Sequence, residues 1–101
     1  MAKYWFAKHP SGKLLQNSVV WDAASIADGA VEAKEVTCTG AALGDFVLVS
    51  LSIDVADLSL SAAVTAADTI TCVISNNTGG AINLAEATAY VLVIPKATYS
   101  S

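Results

Sequence analysis

A chain of 101 residues amounts to one domain with a single core, too short for a multidomain machine. Only 14% of its residues are charged, against roughly 25% in an ordinary soluble domain, while 54% are hydrophobic. The net charge is −4 and there is no arginine, so the body lacks the guanidinium fork on which phosphate and base recognition lean, which argues against nucleic-acid binding.

The charge is unevenly placed. Residues 1–13 carry Lys3, Lys8 and Lys13 and no acid; the remainder carries Lys34 and Lys96 against nine acids, a net −7. Tyr4, Trp5 and Phe6 stand in a row among those lysines, and His9-Pro10-Ser11-Gly12 breaks the chain after them. Residues 1–13 therefore read as a basic, aromatic N-terminal arm in which Lys3, Tyr4, Trp5, Phe6, Lys8 and Lys13 are the candidate partner-binding residues. Aromatic anchors give buried area, and the lysines steer encounter with an acidic surface. Docking onto the domain's own body is the alternative. The breakers fall where a secretion signal would need an apolar core, and no apolar run approaches the roughly 20 residues that cross a bilayer. The expectation is a chain made and kept in a cytoplasm, or released from it by lysis, with no membrane partner.

The rest, 14–101, reads as one domain. Residues 14–20 form a first strand that ends at Trp21-Asp22. The alanine-rich stretch 23–31 contains Ser25-Ile26-Ala27-Asp28-Gly29, which suits one helical turn closed by glycine or an extended loop, and Glu32 and Glu35 predict that this connection is solvated. From Val36 the pattern is regular: a strand at 36–39, a glycine-bounded turn at 40–45 and the strongest strand at 46–53, with Val47, Val49, Leu51 and Ile53 in alternation. Leu58, Leu60, Ala62 and Val64 then alternate against Ser59, Ser61, Ala63 and Thr65, the habit of an antiparallel strand with one wet face. Ala66-Ala67-Asp68 joins this strand to 69–75 as a hairpin. A polar turn at 76–80, a short edge segment at 81–84 and a last strand at 88–94, marked by Tyr90, Leu92 and Ile94 and stopped by Pro95, complete the chain. Short strands at even spacing with no helical period predict an all-β fold, an antiparallel β-sandwich of jelly-roll type.

Little here can do chemistry. The single histidine, His9, lies in the arm beside Pro10, so no nucleophile has an obvious base. Asp54 and Asp57 are the nearest thing to a carboxylate pair, but acids at strand ends ordinarily form turns. With Asp68 they do not make a calcium loop, lacking alternate-residue ligands and a central glycine. Cys38 and Cys72 are too few for a metal site or a disulfide scaffold and suit buried free thiols. Asn76-Asn77-Thr78 has the form of a glycosylation acceptor, yet with Gly79-Gly80 behind it and no export signal it reads as a turn. Trp21 suits a packed core position better than a ligand platform. The expectation is no enzyme, no metal and no cofactor.

One constellation is more particular. Trp21-Asp22-Ala23-Ala24-Ser25-Ile26 leads to Gly29; then follow residues 36–45, VTCTGAALGD, residues 64–70, VTAADTI, and Asn76-Asn77-Thr78-Gly79-Gly80. In this order and spacing, from Trp21 to Ile94, the chain resembles the small β-sandwich structural proteins of tailed bacteriophages, the capsid-decoration and head-fibre proteins. Cys38 and Cys72 stand where that family is expected to have valine. The resemblance implies a virion protein at the capsid surface, made in the bacterial host cytoplasm. Its implied partners are the major capsid protein or another virion protein, and further copies of itself, as a homotrimer. Capsid decoration (cement) is the first reading. A head-fibre, collar or tail component is the alternative, and a carbohydrate- or ligand-binding module the second. The arm lies outside the resemblance.

Overall fold

A computed structural model describes residues 14–96. The six proposed arm residues Lys3, Tyr4, Trp5, Phe6, Lys8 and Lys13 lie outside it, as do His9 and the last five residues. The described chain is all-β, with eight strands and no α-helix: β1 Leu15–Trp21, β2 Ala24–Ile26, β3 Val31–Thr37, β4 Phe46–Leu51, β5 Ser59–Ala66, β6 Thr69–Ser75, β7 Ile82–Leu84 and β8 Ala87–Ile94.

Every pairing is antiparallel, and the pairings nest. β1 pairs β8, β2 pairs β7 and β3 pairs β6, so that Leu15 meets Val93 at one end and Thr37 meets Thr69 at the other. The first and last thirds of the chain thus form one long two-stranded ribbon. Breakers bend it where its pairing is interrupted: Asp22-Ala23 and Ala85-Glu86 on one side of β2–β7, residues 27–30 and 76–81 on the other. The middle of the chain supplies a strand to each end of the ribbon, β4 onto β8 and β5 onto β6. The resulting three-stranded sheets have the orders β1-β8-β4 and β3-β6-β5.

The two sheets share one core. From β8 come Ala89, Val91 and Val93; from β6 come Ile70, Cys72 and Ile74; Val36, Val64, Leu58, Ile26 and Trp21 close around them. Complete removal of an aliphatic side chain from water is worth about 1.5–3 kcal/mol. Ile26, Ile70, Ile74 and Val93, each at most 1% exposed, therefore dominate the driving force. Val47, Val49 and Leu51 of β4 and Leu60 and Ala62 of β5 pack against this core but stay half-buried.

Two expected elements need correction. The stretch 23–35 is not a helical turn: it holds β2 and most of β3, and it is exposed along most of its length, as Glu32 and Glu35 predict. Alanine, glutamate and lysine have low strand propensity, but pairing to β7 and β6 overrides it, since strand preference mostly reflects the neighbours a residue meets. Lys34 and Glu32 lie opposite Cys72 and Ile74 on the core side of the edge strand β3. Charges so placed discourage another chain from adding to that edge. The strand expected at 36–39 accordingly ends at Thr37. Cys38 turns out of it, its N–H donating to the Asp68 carbonyl at 2.8 Å while its side chain stays buried. The short edge segment expected at 81–84 is β7, an edge strand whose one partner in its sheet is β2.

Candidate binding surface

Asp45 anchors the turn before β4. Its Oδ2 accepts the Ala42 N–H at 3.0 Å and its Oδ1 accepts the Lys96 N–H at 3.0 Å, while Lys96 Nζ lies 3.7 Å from Oδ1 and donates to the Leu43 carbonyl. Gly44 sits beneath this lysine with φ +93°, and a Cβ there would lie 3.0 Å from Lys96 Cδ. The end of β8 is thereby tied to the start of β4 at one corner of the β1-β8-β4 sheet.

Register decides what that sheet shows to the outside. With Ala89, Val91 and Val93 inward, strand alternation puts Thr88, Tyr90, Leu92 and Ile94 outward. Pairing extends these into rows across the sheet: Gln16–Leu92–Leu48 and Ser18–Tyr90–Ser50, with Val20 opposite Thr88 and Phe46 opposite Ile94. Leu48 is 60% exposed, Phe46 53% and Tyr90 50%. None of these ten outward positions carries a charge. The opposite sheet differs: its outward positions include Ser59, Ser61, Thr65, Thr71 and Glu35, and Thr65 Oγ1 lies 2.7 Å from Thr71 Oγ1. The opposite face is richer in hydroxyls and carries Glu35, whereas the β1-β8-β4 face mixes large aliphatic and aromatic side chains with uncharged polar ones.

Tyr90 stands between two serines, and the serines leave hollows. One, of about 240 Å³, is lined by Leu48, Ser50, Tyr90 and Leu92 over the backbone of Val49 and Val91. The other, of about 270 Å³, lies toward β1 and is lined by Gln16, Asn17, Ser18 and Tyr90. Both are smaller than the roughly 300–1,000 Å³ of ordinary small-molecule pockets. They suit single side chains.

The remaining sequence candidates do not meet at a site. Trp21 is buried in the core. Asp54 caps its own turn, accepting the Ala56 N–H at 3.0 Å, and that turn holds Ala56 at φ +56°. Asp68, at φ +62°, accepts the Gly40 N–H at 2.8 Å and so joins the β5–β6 hairpin to the turn after β3. Among the described residues no group of three or more His, Cys, Asp or Glu is placed to hold a metal ion, and no described helix is long and apolar enough to cross a membrane. Cys38 and Cys72 are buried free thiols. Burial raises both above the ordinary thiol pKa, and the Asp68 carboxylate adds to the effect on Cys38.

Asn76 is the functional-looking motif whose role lies elsewhere. Its side chain is completely buried. Nδ2 donates to the Ile26 carbonyl at 2.7 Å and the Gly80 carbonyl at 2.9 Å, while Oδ1 accepts the Thr78 N–H and hydroxyl at 3.0 and 2.8 Å. Its backbone carbonyl accepts the Gly29 N–H and its own N–H donates to the Ala30 carbonyl. All the hydrogen-bonding capacity of the amide is used to pin the second bend of the ribbon, so a glycan acceptor is not available there in the folded chain. Of this 76–80 turn, only Gly79 takes positive φ.

The exposed register of β8 was not legible from alternation, because Tyr90, Leu92 and Ile94 alternate as convincingly as Ala89, Val91 and Val93. No known family model matches this chain, and neither a curated protein nor a solved structure matches it.

Proposed function

We propose that this chain is a virion structural protein of a tailed bacteriophage, a capsid-decoration protein that coats the outer head and stabilises its lattice, and that it has no catalytic role. The observation carrying an assembly role is the uncharged β1-β8-β4 outer face, with Leu48 and Tyr90 at least half exposed in a chain of 101 residues. Surfaces of this kind mark sites of association. The polar side chains of Asn76, Asp45, Asp68 and Asp54 are spent on turns and bends rather than converging on a substrate.

The nested pairing β1–β8, β2–β7, β3–β6 supports the finer reading of the fold as a jelly-roll-like β-sandwich, since a folded two-stranded ribbon is how such a roll is wound. The virion placement draws on the resemblance of the turn motifs between Trp21 and Ile94. In this reading residues 1–13 fasten the domain to the major capsid protein, and repetition over a lattice turns weak contacts into stable attachment. The test is to add the purified chain to heads lacking it and image the particles. Regular extra density on the outer head, with heads more resistant to heat, is the expected result. Density confined to fibres, collar or tail would move the protein to the alternative location, and no density anywhere would overturn the reading.

A further inference from the structure

We propose that the outer face of the β1-β8-β4 sheet pairs with the same face of a second copy, the Tyr90 ring of each seating in the hollow over Ser50 of the other. The inference uses the fold alone and does not rest on the virion reading. A two-fold contact needs a surface that is its own complement, with each residue and its counterpart exchanging roles. This face supplies both halves. Tyr90 projects from the central strand, and a hollow of about 240 Å³ walled by Leu48 and Leu92 lies beside it, made by the small side chain at Ser50.

Charge selects among possible occupants. A strongly basic or acidic protein surface would bury its charges against a face that offers no counter-ion, at considerable cost. A second copy brings an equally uncharged face. The net −7 of residues 14–101 sits outside the face and opposes approach only through long-range repulsion. Size then sets the strength. Ten outward side chains fall short of the 20–30 residues a side of a standard interface. The pair should therefore be weaker than the roughly micromolar limit of standard-size contacts.

The experiment is sedimentation velocity on the full chain from roughly 10 μM to 1 mM, a range bracketing weak association, at low and high salt. The expected result is a concentration-dependent shift to twice the monomer mass that tightens as salt rises, because screening removes repulsion between acidic bodies and leaves apolar burial intact. Leu48→Asp should weaken the pair about tenfold or more, through like charges brought face to face, with circular dichroism unchanged. Tyr90→Ser should weaken it too, and carries the test if the aspartate variant fails to fold. A monomer throughout, as when residues 1–13 of the same chain or a capsid protein cover the face, overturns the proposal. So does a trimer, or association that Leu48→Asp and Tyr90→Ser leave unchanged. A monomer that still coats heads would overturn the pairing and leave the decoration reading standing.

Discussion

Replacing Asn76 by alanine would strip the Ile26 carbonyl and the Thr78 N–H of their side-chain partner at a completely buried side chain, while the Gly80 carbonyl keeps the Thr78 hydroxyl. Leaving buried groups unsatisfied costs about 1–3 kcal/mol each, so Asn76→Ala should lower stability by about 3 kcal/mol, read as a reduced urea midpoint. Asn76→Asp keeps the shape but loses both donors and should do no better at neutral pH. The two thiols make a second prediction at this scale. Their folded pKa values lie above the unfolded ones, so the unfolded chain ionises first and the native state then holds more protons. Stability from these groups is full below about pH 8.5 and falls as pH rises toward the folded values, by up to about 1.4 kcal/mol per unit for each thiol. Urea midpoints between pH 7 and 10 should show this decline, and Cys72→Ala should flatten it while lowering the neutral-pH value.

Among the elements, β8 carries the most information, because its two faces do opposite things with similar residues. Val91 and Val93 are at most 3% exposed, whereas Tyr90 is half exposed. Val93→Ser should cost about 2–4 kcal/mol through lost burial and an unpartnered hydroxyl, against less than about 1 kcal/mol for Tyr90→Ser in the dilute chain. Thermal midpoints of the two variants decide the phase of the strand; equal losses would contradict the register. Glycine at 44 is required by geometry at the neighbouring corner. Here Gly44→Ala adds a Cβ in the left-handed region and against Lys96, which should loosen the β8–β4 tie.

At the scale of the whole molecule, closure of the ribbon brings β1 against β8, partners some seventy residues apart in the chain. Folding that must first close so long a loop belongs to the millisecond-to-second class of β proteins. Among the described residues, the core cluster and the bends close on one another. A chain beginning at Leu14 should therefore fold with a thermal midpoint within a few degrees of the parent, while losing attachment to heads that lack the protein. If it attaches as tightly as the full chain, residues 1–13 are not the fastening segment.

The residue pattern by itself determined the all-β class, the strand at 69–75 and the turns at 40–45 and 66–68, because glycine, aspartate and period-two alternation act locally. It also pointed to Cys38, Cys72 and Trp21 as buried, since small or large apolar residues among valine and isoleucine have few other places to go. Tertiary structure decided what depends on a partner strand. The run from Ala24 to Glu35 became β2 and β3 only because β7 and β6 were there to pair with it. Asn76 became a buried clamp only because Ile26, fifty residues away, presents a carbonyl to it. The phase of β8 was decided in the same way: both of its alternating sets are apolar, and the smaller set, Ala89, Val91 and Val93, joined Ile70, Cys72 and Ile74 in the core, which turned Tyr90, Leu92 and Ile94 outward.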